Sequence, residues 1–405
     1  MYNFYIHSKQ NKYFISQNIK YDWGILMMKK FKAGVVGIGF IGVAHIEALR
    51  RLGNVEVLAL TNETDPVQKA AHLNVPHGFA DYREMIDTVD LDMIHICTPN
   101  HTHYEIATYA MERGIHVLCE KPMTTTVEEA EKLVQLAKEK QLVHAINYHN
   151  RFYPITHHLR QMAKEAEFGE IFSIHGGYIQ DWLLFDTDFN WRLISSKSGK
   201  TRAVADIGSH WLDLIEYMTG LKIVEVFAAF RTFYDTRKRS IHPVETFSQA
   251  QQPREAYEDI PIDTEDFASI LLKFDNGALG NTTISQMFAG EKNRISVFIG
   301  GSKMSAQWDS NDISNLVIGR RDEPNLVLTK DPGLLHPQSA KITGYPGGHV
   351  EGFPDAFKQT FKQIYASIED PTMEKEYATF EDGLRQMILC ERIYESAQTN
   401  RWVKI

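Results

Sequence analysis

The sequence predicts an α/β protein in two parts: a doubly wound parallel sheet, then an α+β domain built on a large, mostly antiparallel open sheet. Three observations carry this. Between Lys32 and Asn147, short apolar runs alternate with segments of helical periodicity, and strands buried on both faces need helices on either side. The first run leads directly into Gly37-Ile38-Gly39-Phe40-Ile41-Gly42 and then into a helical pattern. Beyond Arg151 the rhythm changes to strands joined by turn residues. A chain of 405 residues also exceeds what one hydrophobic core usually serves.

Residues 1–30 are expected to be an N-terminal extension with no catalytic role. They are aromatic and mildly basic, and their longest apolar piece is only Ile25-Leu26-Met27-Met28, too short for the core of a signal peptide. Met27 and Met28 stand just before the first strand, where such a domain normally begins. Residues 31–150 form the first domain. Its strands are expected at Ala33–Ile38, Val55–Leu60, Met93–Cys97, Ile115–Cys119 and Leu142–Asn147, with helical segments beginning near Ile41, Asp65, Asp81, His103 and Thr125. The clearest is Val127–Lys140, whose apolar residues recur at three- and four-residue spacing behind a threonine cap.

Residues 151–405 form the second domain. Helices are predicted at Pro154–Ala166 and from about Ala203 to Met218, the latter stopped by Gly220. Strands follow at Glu170–Ile179, Ile223–Phe230, Phe267–Phe274, Leu279–Met287, Arg294–Ile299 and Lys303–Trp308. Asp275-Asn276-Gly277 and Gly300-Gly301 read as hairpin turns. The polar stretch Asp235–Pro261 reads as an extended loop, and helices near Phe353–Ile368 and Phe380–Gln398 close the chain.

Composition narrows the function classes. A net charge of −9 argues against nucleic acid or an anionic membrane as the main partner. No apolar run approaches the roughly 20 residues of a membrane helix. Three cysteines are too few for a disulfide framework and fit a reducing cytoplasm; Cys97 and Cys119, each ending an apolar run, read as buried packing residues. His101 and His103 have ligand-like spacing, but their loop is better explained by the surrounding sheet, so no metal is expected.

The glycine stretch carries the first chemistry. A strand before it and a helix after it are what the phosphate-binding mechanism of a Rossmann domain requires. Gly37 permits the tight turn, Gly39 lets backbone approach a pyrophosphate, and Gly42 lets helix pack on strand. Phe40 and Ile41 open the helix whose unpaired N–H groups would face the phosphates. At the end of the second strand, where an acid usually binds the ribose of NAD, the chain has Asn62 followed by Glu63. An amide bonds a hydroxyl without repelling a phosphate, so NADP stays open. Glu63 would repel a 2′-phosphate and no Arg or Lys comes before Lys69, so NAD is the expected cofactor.

Three further stretches complete a candidate site. Thr98-Pro99-Asn100-His101 and Glu120-Lys121-Pro122 follow the expected strands Met93–Cys97 and Ile115–Cys119, at the carboxyl edge where ligands bind in such sheets. Each alone reads equally as a solvated loop. Asp206 and His210, in Asp206-Ile207-Gly208-Ser209-His210, are four apart, so on a helix they share a face and can hydrogen-bond. A carboxylate holding one imidazole nitrogen raises the basicity of the other, which is what alcohol oxidation needs from a base. The plainer reading is a surface Asp–His pair.

In this order and at these distances, the glycine turn, Thr98–His101, Glu120–Pro122 and the Asp206–His210 helix resemble the Gfo/Idh/MocA family of sugar and polyol oxidoreductases, over residues 31–405. The resemblance implies that Lys121 binds the reacting hydroxyl and steadies the nicotinamide end. It makes His210 the general acid/base and Asp206 its partner or a substrate contact. It lines the dinucleotide with Thr98, Pro99, Asn100 and His101, and puts Glu120 near the nicotinamide ribose. Many members have Asp where this chain has Asn62. The resemblance also implies a homodimer or homotetramer formed through the open face of the second sheet.

The substrate is read from aromatic residues with polar ends. Gln180-Asp181-Trp182 and Asn190-Trp191-Arg192 suit a pyranose, whose C–H faces pack on rings while amides and Arg bind hydroxyls. Core or interface packing explains both tryptophans equally well. His349, in Gly347–Gly352, is a further substrate candidate, and Arg151 either faces the cleft or braces the domain junction. The leading expectation is oxidation of a secondary ring hydroxyl of a sugar or glycoside, at position 3 in the most specific form, by NAD. Two rivals remain: a glycosidase or lyase that retains NAD and acts by transient oxidation and elimination, and a non-catalytic sensor of dinucleotide or sugar.

Overall fold

The computed structural model describes residues 29–241 and 257–405. The expectations for residues 1–28, and for the middle of the Asp235–Pro261 stretch, lie outside the described residues. The first sheet contains β1 (Phe31–Val36), β2 (Val55–Thr61), β3 (His77–Phe79), β4 (Met93–Ile96), β5 (His116–Cys119) and β6 (His144–Ile146). All are parallel, in the order β3-β2-β1-β4-β5-β6. Helices α1 (Phe40–Arg50), α2 (Pro66–His72), α3 (Tyr82–Thr88), α4 (His103–Glu112) and α5 (Val127–Lys140) make the crossovers. The chain reverses direction across the sheet between β1 and β4, and a crevice opens there at the carboxyl ends of the strands.

Local sequence explains most of this. The four residues of β4 are all buried, as expected of a strand covered on both faces. Thr126 caps α5 by accepting a bond from the Glu129 N–H at 3.2 Å. β3 was not foreseen, because His77-Gly78-Phe79 is short and carries no apolar run. Its glycine is demanded by packing: a Cβ there would meet the Pro66 carbonyl oxygen of α2 at 2.1 Å.

In the second domain, α6 (Pro154–Lys164), β7 (Ile171–Ile179), the short α7 (Ser195–Ser198), α8 (Ser209–Thr219) and β8 (Ile223–Arg231) come first. Then follow β9 (Thr236–Ser240), β10 (Tyr257–Pro261), β11 (Phe267–Phe274), β12 (Leu279–Ser285), β13 (Arg294–Gly301), β14 (Ser305–Asp309), β15 (Asn315–Gly319) and β16 (Leu326–Thr329). The one-turn α9 (Pro337–Ala340), α10 (Phe353–Glu369), α11 (Phe380–Thr399) and β17 (Val403–Lys404) end the chain. Nine of these strands form one open sheet, ordered β16-β15-β14-β13-β7-β12-β11-β8-β17 among the described residues. Every neighbouring pair is antiparallel except β7 with β12.

Two expectations are corrected here, and one arrangement was not foreseen. The two ends of the supposed Asp235–Pro261 loop pair as an antiparallel ribbon, β9 with β10, despite their charged sequence. The helix expected from Ala203 begins instead as a π-helical turn, Val204–Gly208, before α8. And α10 and α11, the last helices of the chain, return to cover the first sheet. Tyr365 of α10 packs edge-on against Phe31 of β1, and Phe380 and Met387 of α11 join the core beneath α5.

Candidate active site

The glycine turn joins β1 to α1 as the sequence requires. Gly37 has φ +91°, a left-handed conformation that L side chains rarely adopt. At Gly42 a Cβ would meet the Gly37 carbonyl oxygen at 2.1 Å. At Gly39 a Cβ would meet nothing within 4 Å, so this glycine faces open space at the N-terminus of α1. A tight turn, a close helix and a bare backbone in front of unpaired N–H groups fit a dinucleotide pyrophosphate. Phe40 is exposed beside the turn and stacks on Phe353 of α10 at 6.3 Å, whereas Ile41 packs inward against the core. Asn62, half-buried at the end of β2, donates to the Thr64 carbonyl oxygen; Glu63 is exposed.

Lys121 stands at the end of β5 and reaches across the crevice. Its Nζ donates to both the carbonyl oxygen and Oδ1 of Asp206, each at 2.8 Å. Arg192 joins the same carboxylate, Nε to Oδ1 at 3.2 Å, with its guanidinium 4.5 Å over the Trp191 ring. The other oxygen, Oδ2, accepts from Gln286 Nε2 at 2.9 Å. Burial pushes the Asp206 carboxyl up, but Lys121 and then Arg192 outweigh it and hold the group well below its ordinary value. It is therefore an anion throughout the working range of an enzyme.

The Asp206–His210 pair foreseen from spacing does not form. Asp206 spends its oxygens on Lys121, Arg192 and Gln286, and His210 Nδ1 is buried without a hydrogen-bond partner among the described residues. The physical reason is twofold. The π-helical turn between them alters the i,i+4 geometry, and two cations outcompete a neutral imidazole for the carboxylate. His210 sits instead among rings: Tyr148 at 5.4 Å, His149 at 5.4 Å and Tyr178 at 6.2 Å. Burial first, then the charge of Lys121, pushes its pKa well below 6.5, so the ring is neutral.

Glu120 is buried, and its Oε1 accepts from His45 Nε2 at 3.0 Å and from the Asn147 amide. Burial raises its carboxyl, but His45, Lys121 and Asn147 overcome this and bring it to about 2. Thr98 and Pro99 are half-buried and His101 is exposed, all on the loop after β4. Asn100 is buried and donates to the Ser198 carbonyl oxygen at 3.1 Å, so its side chain ties the two domains together. His103 bridges the two loops, 2.8 Å from the Thr98 carbonyl oxygen and 2.9 Å from that of Pro122.

Of the substrate candidates, only Arg192 joins this cluster. Arg151 is the brace, not a cleft residue: it is buried, bonds both oxygens of Asp213 on α8, and pairs with Asp382 on α11 at 3.2 Å. Gln180 is engaged at both ends, donating to Asn293 Oδ1 at 2.6 Å and accepting from Trp182 Nε1 at 2.8 Å. Trp182 packs its ring against a small cluster of Leu183, Leu193 and Ile262. His349 is exposed, and its ring is 3.3 Å from the Gly347 carbonyl oxygen, with no contact to the Lys121 cluster.

The sequence did not point to Gln286, at the end of β12, or to Arg202. The guanidinium of Arg202 donates to Gln286 Oε1 at 3.0 Å and pairs with buried Asp266. This turns the Gln286 amide so that its NH2 faces Asp206. No local pattern marks these residues; only the sheet brings them to the site. Tyr148 and His149, whose rings flank His210, were likewise unmarked.

A nucleotide cradle at the switch point of a parallel sheet, facing a lysine–carboxylate pair and a neutral histidine, defines a dinucleotide-dependent oxidoreductase. Comparison with known proteins agrees. Residues 31–148 match the oxidoreductase family with NAD-binding Rossmann fold, and residues 156–307 match the GFO/IDH/MocA C-terminal domain. The chain belongs to the GFO/IDH/MocA oxidoreductase family, and its first domain is the NAD-binding one. It is 26% identical over 403 residues to the levoglucosan dehydrogenase of Pseudarthrobacter phenanthrenivorans, covering 93% of this chain and 99% of that protein. An oxidoreductase domain protein from Kribbella flavida superposes with a TM-score of 0.83 at 26% identity, over 93% of this chain and 100% of that one. A levoglucosan dehydrogenase solved with NADH and L-sorbose also gives 0.83, at 25% identity, over 93% of this chain and 99% of that one.

Proposed function

We propose that the protein is an NAD-dependent dehydrogenase that oxidises a secondary ring hydroxyl of a sugar or glycoside to a ketone. The observation that carries it is the meeting of Lys121, paired to Asp206, with a neutral His210 at the carboxyl edge of the dinucleotide-binding sheet. NAD, when bound, supplies the acceptor for the hydride that leaves the carbinol carbon. The Lys121 ammonium donates to the reacting oxygen and stabilises the charge that develops there. Asp206 holds that ammonium in place, and Gln286 and Arg192 hold Asp206. The neutral imidazole of His210 takes the hydroxyl proton.

The names of the relatives, a levoglucosan dehydrogenase among them, support a carbohydrate ring as substrate, and Arg192 with Trp191 suits its hydroxyls and C–H face. Thr98, Pro99, His101, Asn62 and Glu63 serve the dinucleotide in this reading. Leu271, Leu279 and the stacked His175–Phe298 pair on the outward face of the large sheet favour association through that face, as a dimer or tetramer. Three free cysteines favour a cytoplasmic location.

The test is a panel of sugars, anhydrosugars and glycosides, each offered with NAD and with NADP and read by the absorbance of the reduced nicotinamide. Stoichiometric NADH with a keto sugar as product is expected, and product analysis gives the ring position. Glycosidic cleavage without net NADH overturns the reading in favour of an eliminating enzyme. Nucleotide binding with no turnover on any sugar overturns it in favour of a sensor.

A further inference from the structure

Behind Lys121 runs a chain of buried polar groups that the proposed reaction does not touch. Four elements supply it: His45 from α1, His95 from β4, Tyr365 from α10 and Glu120 at the end of β5. His45 Nε2 lies 3.0 Å from Glu120 Oε1, His45 Nδ1 lies 2.9 Å from His95 Nδ1, and His95 Nε2 lies 3.0 Å from Tyr365 Oη. Both histidines are fully buried, and Phe357 and Phe361 enclose His45.

Hydrogen-bond accounting gives this chain a direction. Glu120 is a carboxylate and can only accept, so His45 Nε2 carries a proton. One proton, and only one, lies between the two facing Nδ1 atoms. Were it on His45, neutral His95 would carry its own proton on Nε2, and the Tyr365 hydroxyl would have no acceptor among the described residues. With the proton on His95 Nδ1 all four groups are satisfied, and the Asn147 amide, 3.3 Å from His45 Nε2, gives its N–H to Glu120 Oε1 instead. Tyr365 donates to His95, His95 donates to His45, and His45 donates to Glu120.

The far end is equally specific. Glu120 Oε1 takes the bonds from His45 and Asn147, whereas Oε2, among the described residues, accepts only from the Lys121 backbone N–H, at 3.3 Å. Oε2 thus keeps acceptor capacity beside the lysine at the carboxyl edge of the sheet. We propose that Tyr365, His95 and His45 are positioning residues that fix one oxygen of Glu120 so that the other is presented to a hydroxyl or amide donor of the bound dinucleotide. The proposal rests on the dehydrogenase reading only for the identity of that ligand.

Two measurements on the full-length protein test it. Ring nitrogen NMR of 15N-histidine-labelled protein, without nucleotide, reads the tautomers directly. His45 is expected as the Nε2–H form and His95 as the Nδ1–H form; the reverse assignment overturns the proposal. NADH titration then reads the effect. His45→Phe is expected to weaken binding about tenfold, Tyr365→Phe about threefold, and His45→Gln, which keeps an N–H toward Glu120, less than about threefold. Unchanged affinity in a folded His45→Phe protein, or a Gln variant no better than Phe, overturns it. If His45→Phe fails to fold, Tyr365→Phe and the tautomers decide. Neither measurement uses a sugar, so failure of the sugar panel and failure of this chain are separate results.

Discussion

His210 owes its chemistry to what surrounds it rather than to its sequence neighbours. Buried among Tyr148, His149 and Tyr178, and close to the charge of Lys121, it is held neutral well below the pH at which an exposed imidazole would be. If His210 is the base, as proposed, it stays neutral as pH falls through 6.5, and the acid limb of kcat/KM for oxidation is expected at lower pH than an ordinary histidine would give. Replacing His210 by Ala is expected to lower kcat by roughly 10²–10⁴ with NADH affinity unchanged, measured by steady-state kinetics beside a binding titration. At the other end of the cleft, the proposed role of Asn62 is to meet the ribose of NAD with an uncharged amide, which bonds a hydroxyl without repelling a phosphate. Asn62→Asp adds a charge there, and NADP affinity is expected to fall about tenfold while NAD binding holds or improves. Equal loss with both nucleotides contradicts that role.

At the scale of the element, the β1–turn–α1 unit separates two uses of glycine. Gly42 is there for packing: a Cβ on it would come within 2.1 Å of the Gly37 carbonyl oxygen, so only glycine lets α1 lie this close to the turn. Gly39 suits the proposed approach of the pyrophosphate, since among the described residues nothing lies within 4 Å of its missing Cβ. Gly42→Ala is therefore expected to cost about 1–3 kcal/mol of stability and to lose nucleotide binding with it. Gly39→Ala is expected to melt like the wild type yet bind NADH more weakly, as thermal unfolding and titration of the two proteins would show. Both roles were readable in the sequence, because strand, turn and helix are contiguous. The Asp206–His210 helix was readable only as a pairing of residue types. Its π-helical turn packs against β7, β12 and α11 and holds Lys121 through Asp206, partners that spacing could not supply.

The whole molecule carries an acid-sensitivity built from buried histidines. Burial brings His144, His149, His157 and His158 from 6.5 to about 4. In that window the unfolded chain binds protons that the folded chain refuses, so stability falls as pH drops from about 6.5 to about 4. Glu120 and Glu376, held at about 2 against an ordinary 4.5, continue the loss below that. Asp213, pushed up to about 6 by burial, works in the opposite direction but is one group against several. Thermal unfolding followed from about pH 8 to about pH 4 should show a midpoint that is flat above 6.5 and falls steadily beneath it. A midpoint independent of pH across that window would contradict these burial assignments.

The sequence by itself determined the class of the protein. Alternating apolar runs, the Gly37–Gly42 turn, Lys121 just past the foreseen strand Ile115–Cys119 (β5), and two closing helices are local patterns, and local patterns survive without knowledge of the rest of the chain. The tertiary structure decided which side chains meet. It gave Asp206 to Lys121 and Arg192 instead of His210, made Arg151 a brace between α8 and α11, and brought Gln286, Arg202 and Tyr365 to a site more than a hundred positions away for some of them in the chain. Those partnerships depend on competition among buried charges and on the register of a nine-stranded sheet, and neither is written in the spacing of any one segment.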